Sequence, residues 1–171
     1  MSENDIQNNE EENSVGLGVD IVDVERMRNL IERTPNFISH TFSDDEVLYC
    51  NKSSRNVEHF ATHFAAKEAV LKALGCGFTQ GISPKDVEVC HNEKGKPFVK
   101  LCGRVKELAT EQGIESFPIS LSFTNAEAVG VAIALTKDAA AENKVLEKSK
   151  DPVAELTRQF KEAKKILDEK N

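Results

Sequence analysis

The stretch THFAAKEAVLKALGCGF, residues 62–78, predicts one helix that leaves little of its surface for solvent. Small or apolar side chains cover most of its circumference: Phe64, Ala65, Ala66, Ala69, Val70, Leu71, Ala73 and Leu74. Gly75 follows directly and suits a left-handed C-cap, which ends the helix. A helix that is apolar over most of its faces is typical of the buried centre of a domain. Its charged residues therefore need an explanation.

Three charged side chains, Lys67, Glu68 and Lys72, fall within these turns. Glu68 and Lys72 are four residues apart and share one face of the helix. One interpretation is a surface ion pair, which would contribute roughly a few tenths of a kcal/mol. The other is a carboxylate and an amine that point together into a cleft. The second interpretation requires a partner residue elsewhere in the chain.

Composition narrows the classes of function. The chain has 171 residues, enough for one domain with extensions, and a formal net charge of −7, which disfavours nucleic-acid binding. No apolar run is long enough to span a membrane, and the start, MSENDIQNNEEEN, is the opposite of a secretory or transit peptide. The four cysteines form no CxxC pair, so we expect reduced thiols in a cytoplasmic protein.

Pattern changes divide the chain into three parts. Residues 1–13 are predicted to be disordered, residues 14–136 form the domain, and residues 137–171 are an extension rich in Ala, Glu and Lys. The extension ends in a predicted amphipathic helix whose narrow apolar seam suits a partner surface or a coiled coil.

Within the domain, local signals place the elements in order. Asp23 is expected to cap the first helix, and Ser43 with Glu46 forms a capping-box pattern at the second. The segment NEKGKP, residues 92–97, separates two short apolar runs as a hairpin turn does. The resulting order β-α-α-α-β-β-α-β-β predicts an α+β domain with a largely antiparallel sheet and packed helices.

Asp20 is the candidate partner for Glu68. It lies within the predicted strand GLGVDIV, residues 16–22, with Val19 and Ile21 on the opposite face. It either faces solvent or faces the helix that carries Glu68. Two carboxylates brought together repel each other unless a cation lies between them. Mg²⁺ suits one or two carboxylates and substrate phosphates, and Lys72 would then be placed to meet a phosphate oxygen.

These motifs together resemble the holo-acyl-carrier-protein synthases, the small trimeric type of 4′-phosphopantetheinyl transferase. The resemblance extends from about Val15 to Leu135, and four segments carry it: GLGVDIVDVERM, HFAAKEAVLKALGCGF, NEKGKPFV and ISLSFTNAEAVGVAIAL. It implies a 4′-phosphopantetheinyl transferase-like fold and a homotrimer with active sites at its interfaces. The implied reaction moves phosphopantetheine from coenzyme A to a serine of apo acyl carrier protein in fatty acid biosynthesis, with Mg²⁺ as cofactor.

The resemblance also implies roles for particular residues. Asp20 and Glu68 match the metal-binding acids, and Lys72 matches the lysine near the diphosphate. The serine proton would pass to a metal-bound water or to Glu68. The residues implied to contact coenzyme A are His63, Gly75, Lys96, Pro97, Ser122, Phe123 and Thr124.

Two positions depart from the family pattern. The family has Arg where His63 stands and His where Phe123 stands, both near the nucleotide end of the ligand. We therefore expect the 3′-phosphate to be held differently. His59 and His63 are spaced like a metal pair, but Glu68 lies about 140° around the helix from His63, so we interpret both histidines as surface or nucleotide-facing.

The first helix carries a candidate docking face for the acidic carrier protein. Arg26 and Arg33 are seven residues apart, nearly in line, with Arg28 beside them. The alternative is an ordinary solvated helix face. For the whole chain, an active transferase is the leading hypothesis, and a non-catalytic coenzyme A-binding or trimeric scaffold homologue is the alternative.

Overall fold

The computed structural model describes residues 16–78 and 81–137. Their elements, in chain order, are β1 Gly16–Asp23, α1 Val24–Arg33, α2 Phe37–Thr41, α3 Asp44–Asn51, α4 Asn56–Ala73, a 3₁₀ turn Pro84–Asp86, β2 Val87–His91, β3 Pro97–Leu101, α5 Gly103–Glu111, β4 Ile114–Ser116, β5 Ile119–Phe123 and β6 Glu127–Thr136. The predicted disordered start and nearly all of the predicted extension lie outside these residues.

The strands confirm the predicted α+β class with antiparallel pairing. The long strand β6 pairs with β1 along most of its length and with β5 and β4 at successive positions. A separate hairpin is formed by β2 and β3, with the predicted NEKGKP turn between them. The short elements α2 and β4 were not predicted, because neither is long enough to show a periodic pattern.

The helix α4 packs across β1 and β6 at very short range, and glycines make this approach possible. A Cβ atom added to Gly18 would lie 2.6 Å from the backbone nitrogen of Ala73, and one added to Gly130 would lie 2.6 Å from that of Ala66. Both distances are shorter than real Cβ contacts allow. The glycines thus bring the backbone of α4 against the strand that carries Asp20.

Predicted capping residues occupy their expected positions. The Asp23 carboxylate accepts a hydrogen bond from Arg26 N at 2.6 Å, and Ser43 and Glu46 form the complete capping box of α3. Gly75 follows α4 with a φ of 74°, in the left-handed region that favours glycine. These local signals correctly place the starts and ends of the helices around the site.

The two faces of the main sheet differ in how far they are covered by other elements. One face is covered by α4, whereas Leu17, Val19 and Ile21 of β1 are 64%, 44% and 61% exposed on the other. None of the helices in the described ranges is long and apolar enough to cross a membrane.

Candidate functional site

A groove between β1, α1 and α4 contains Asp20, Glu68 and Lys72, the three residues predicted from the sequence to act together. Its volume is about 330 Å³, and it is lined by Asp20, Ile21, Val22, Asp23, Arg26, Met27, Leu30, Phe64, Glu68 and Lys72. Asp20 therefore faces the helix that carries Glu68, as the functional interpretation predicted. The neighbours of Asp20 along the strand, Val19 and Ile21, are both exposed apolar side chains.

Lys72 pairs with Asp20 in this groove and not with Glu68, its neighbour on the same helix face. Lys72 Nζ donates to Asp20 Oδ1 at 2.7 Å and to the carbonyl oxygen of Val19 at 3.0 Å. The side-by-side ion pair between Glu68 and Lys72, one of the two sequence interpretations, is not among the ion pairs of the described residues. Instead, Lys72 joins α4 to β1 and holds Asp20 toward the groove.

The carboxylate of Glu68 lies close enough to that of Asp20 for the two charges to repel each other. Burial raises the pKa of Glu68, the charge of Asp20 raises it further, and the charge of Lys72 opposes the shift. An added cation between Asp20 and Glu68 would relieve this repulsion. No cluster of three or more metal-binding side chains occurs in the described part of the chain. This donor set fits Mg²⁺, which takes one or two carboxylates and completes its shell with water and phosphate oxygens.

Behind the groove, a buried ion pair fixes α4 on its other side. Lys67 is fully buried, and its Nζ donates to Glu46 Oε2 at 2.8 Å and to the carbonyl oxygens of Pro84 and Val87. Burial raises the pKa of Glu46, but its bonds to His63 and the charge of Lys67 outweigh that effect and lower it. The sequence analysis did not predict this pair. A lysine in a helix that is otherwise nearly all apolar was the feature that could have indicated a buried partner for Lys67.

A second cavity, of about 370 Å³, lies on the far side of α4. It is lined by Tyr49, His59, Thr62, His63, His91, Gly95, Pro97, Leu121, Ser122 and Phe123. Tyr49 stacks on His91 with ring centroids 4.0 Å apart and on His63 at 5.4 Å. Four residues that the resemblance assigned to coenzyme A, namely His63, Pro97, Ser122 and Phe123, thus meet in one place.

For His63 the structure excludes one of the two predicted alternatives. His63 is not a surface residue, because its side chain is 1% exposed and its Nδ1 lies 3.3 Å from Glu46 Oε1. His59 is half-buried, and its ring meets Phe123 edge to face at 5.3 Å. Tyr49 and His91 were missed, because neither stands in a motif and only the fold brings them to His63.

Other predicted residues lie outside both the groove and the cavity. Lys96 is exposed in the hairpin turn, Gly75 ends α4, and the Thr124 hydroxyl caps the turn before β6 by accepting from Ala126 N and Glu127 N at 3.1 Å.

The three arginines of α1 differ in whether they line the groove. Arg28 and Arg33 are exposed on α1, and Arg28 pairs with Glu25. Arg26 lines the groove itself. It is therefore the arginine of α1 that connects the candidate docking face to Asp20 and Glu68.

Comparisons with known proteins agree with this geometry. The sequence model described as the 4′-phosphopantetheinyl transferase superfamily matches residues 16–133. The holo-[acyl-carrier-protein] synthase of Caldanaerobacter subterraneus subsp. tengcongensis is 41% identical over 119 residues, which cover 70% of this chain and 93% of that protein.

Solved structures show the same fold. Holo-[acyl-carrier-protein] synthase from Neisseria meningitidis matches with a TM-score of 0.63 and 28% identity, covering 70% of this chain and 96% of that one. The Helicobacter pylori synthase in complex with coenzyme A matches with a TM-score of 0.61 and 28% identity, over 69% and 98% of the two chains. The protein described here belongs to the 4′-phosphopantetheinyl transferase superfamily.

Proposed function

We propose that this chain is a holo-acyl-carrier-protein synthase that transfers 4′-phosphopantetheine from coenzyme A to a serine hydroxyl of apo acyl carrier protein. The serine oxygen forms a bond to the phosphorus of the phosphopantetheine half. The bond from that phosphorus to the leaving phosphate breaks and releases adenosine 3′,5′-bisphosphate. The observation that carries the proposal is the meeting of Asp20, Glu68 and Lys72 in one groove.

We assign Mg²⁺ to the carboxylates of Asp20 and Glu68. When bound there, it would supply neutralisation of the charge that builds up on the diphosphate. Lys72 is the second positive group of the groove, and it would move from Asp20 to a phosphate oxygen of the leaving bisphosphate. Arg26, at the rim of the same groove, adds a third positive charge near the phosphates.

The serine must lose a proton during the transfer. Glu68 is one candidate acceptor, because its carboxylate lines the same groove as Asp20 and Lys72, where the serine would meet the diphosphate. A water molecule in the same groove is the alternative acceptor.

The nucleotide end is assigned to the cavity lined by Pro97, Ser122 and Phe123. Because this cavity lies on the far side of α4 from the groove, a neighbouring chain of the proposed trimer would supply it. No lysine or arginine lines this cavity in the described part of the chain. The nearby Arg55 lies 4.7 Å over the Phe123 ring, but it is bonded to Glu58 and Asn125. The 3′-phosphate is thus held with less fixed positive charge than an arginine and a histidine would supply.

The carrier protein is assigned to the face of α1 that bears Arg26, Arg28 and Arg33. An acidic partner needs a local basic surface on a chain whose formal net charge is −7. Arg26 links that surface to the groove. A serine of a carrier docked on α1 would therefore reach the diphosphate.

We propose a homotrimer that buries the open face of the main sheet. Leu17, Val19 and Ile21 stand directly opposite Ile133, Val131 and Val129 of β6 on this face. An exposed apolar patch of this kind marks a protein contact. Light scattering tests the assembly, with three chains per particle expected and a single chain contradicting it.

The four free thiols fit a reducing compartment, and we assign the enzyme to the cytoplasm, where holo carrier protein serves fatty acid biosynthesis. The function itself is tested by incubating the full chain with coenzyme A, Mg²⁺ and apo carrier protein and weighing the carrier. A mass gain of one phosphopantetheine group is expected. Binding of coenzyme A with an unchanged carrier mass would instead support the non-catalytic homologue.

A further inference from the structure

Lys67 carries a charge that is completely buried, one residue before Glu68 of the groove. Its Nζ donates to Glu46 Oε2 at 2.8 Å, to the carbonyl oxygen of Pro84 at 3.1 Å and to the carbonyl oxygen of Val87. An ammonium group has three protons to donate, so these three bonds use all of them. Lys67 therefore has no donor left for a substrate phosphate, and any part that it takes in transfer is indirect.

The acceptors of Lys67 belong to three different elements, namely α3, the 3₁₀ turn and β2. The acceptor in α3, Glu46, is itself fixed by backbone groups. Its Oε2 also accepts from Ser43 N at 2.9 Å, and its Oε1 accepts from Val89 N at 3.2 Å. The side chain of one lysine thus ties α4 to the three elements beside it at a single buried point.

The contact between α4 and the main sheet is smooth. Alanines of the helix meet glycines of the strands there, with Ala69 against Gly18 and Ala65 against Gly130. Neither partner has a side chain that extends beyond Cβ, so nothing interlocks on this face. The polar bonds on the flanks of α4 are therefore what resist rotation of the helix against the sheet.

Two such bonded side chains flank the smooth face. Lys72 bonds to Asp20 on the groove side, but the proposed transfer moves it to a phosphate oxygen and leaves Lys67 as the remaining anchor. Side chains of a helix end about 5–6 Å from its axis, so a rotation of α4 by about 10° would move the Glu68 carboxylate by about 1 Å. A displacement of that size can cost about a hundredfold in rate.

We propose that Lys67 is a positioning residue for the transfer reaction. It sets the rotation of α4, and with it the place of the Glu68 carboxylate opposite Asp20, without touching the substrate. The inference rests on the proposed function, in which these two carboxylates share a cation. Groups that orient the ligands of a metal ion affect its affinity even though they do not contact it.

The test removes both members of the buried ion pair, because removing one alone would leave a buried charge unpaired. In Glu46→Gln/Lys67→Met, the methionine is unbranched like lysine and occupies similar space. Electron paramagnetic resonance measures Mn²⁺ binding to the full chain with coenzyme A present, and carrier mass against time gives the kinetics. We expect Mn²⁺ affinity and kcat to fall by about ten- to a hundredfold. The KM for the carrier should stay unchanged, because its proposed docking face is on α1.

Two control substitutions separate positioning from a loss of stability. Val70→Ala removes buried methyl groups from the same helix and should lower the urea midpoint, but it keeps the bonds of Lys67 and should keep wild-type Mn²⁺ affinity. Lys106→Met repeats the lysine substitution at an exposed site on α5 and should change neither the midpoint nor the affinity. Wild-type Mn²⁺ affinity in the folded double variant, or an equal loss in Val70→Ala, would overturn the inference.

A second measurement needs no variant. In a crystal of the unaltered protein with coenzyme A and Mn²⁺, Lys67 should keep its bonds to Glu46 and to the carbonyl oxygens of Pro84 and Val87. A Lys67 side chain that has left these partners for the ligand would overturn the inference. If the wild type still adds mass to the carrier, the proposed function stands and only the role of Lys67 falls, whereas a wild type that adds none contradicts the proposed function itself.

Discussion

A single added methyl group at Gly18 should disable the site from a distance. The new Cβ would lie 2.6 Å from the backbone nitrogen of Ala73 and still closer to the carbonyl oxygen of Ala69, whereas ordinary contact begins at 3.4 Å. The strand and α4 must therefore separate by at least the 0.8 Å between 2.6 and 3.4 Å. No side-chain rotation can relieve the contact, because both atoms belong to the helix backbone.

This separation would act directly on the groove. Asp20 is on the same strand as Gly18, and Lys72 is on α4, so their 2.7 Å bond would lengthen and weaken. A misplacement of about 1 Å can cost about a hundredfold in rate, and overpacking costs about 1–3 kcal/mol of unfolding free energy. We expect Gly18→Ala to lower kcat/KM for carrier modification by about a hundredfold.

The assay measures carrier mass against time, with urea unfolding of the same sample. Gly77→Ala is the control for stability, because no heavy atom lies within 4 Å of the added Cβ and its φ is not in the left-handed range. Its unfolding free energy should stay within about 0.5 kcal/mol of the wild type. If Gly18→Ala has wild-type activity and stability, the close approach of α4 and β1 is not what positions Asp20.

Five further substitutions test other parts of the structure. Asp20→Asn or Glu68→Gln should abolish Mg²⁺-dependent transfer while circular dichroism stays unchanged, and retained activity in either variant would remove the metal assignment. Arg26→Ala should raise KM for the carrier and weaken its salt dependence, because exposed charges are screened beyond about 8–10 Å; an identical salt response would exclude α1 as the docking face. Phe123→His should tighten coenzyme A relative to 3′-dephospho-coenzyme A by about ten- to a hundredfold, and an unchanged ratio by calorimetry would show that Phe123 does not face the 3′-phosphate. The pKa of Glu46 is lowered in the fold, so its contribution to stability is present above about pH 4.5 and is lost as the pH falls through the folded value; the urea midpoint of Glu46→Gln should therefore vary less with pH below 4.5, and equal slopes for the two proteins would contradict this.

The sequence predicted the groove because its signals are local. Each signal is visible within a few residues: the glycines around Asp20, the caps at Asp23 and Ser43, and the helical spacing of Glu68 and Lys72. Once a strand and a helix are recognised, alternation and helical period decide which side chains face each other. Two points were left open, namely whether Asp20 faces solvent or α4 and which residue pairs with Lys72. The structure places Asp20 in the groove and pairs it with Lys72.

The buried polar network could not be predicted in the same way. Lys67 and Glu46 are separated by 21 residues, and the capping-box role of Glu46 already explained that carboxylate locally. His63 and His91 meet only because α4 packs beside the hairpin strand β2. Contacts of this kind depend on tertiary packing, which periodicity in a single segment does not encode.

The most direct test of the account is the position of the metal ion in the complex with coenzyme A. Mn²⁺ accepts the same oxygen ligands as Mg²⁺ and can be located by its anomalous scattering. A crystal grown with Mn²⁺ and coenzyme A should show the ion between the carboxylates of Asp20 and Glu68, in contact with the diphosphate. An ion bound elsewhere, with Asp20 still held by Lys72 and the diphosphate outside the groove, would contradict the account.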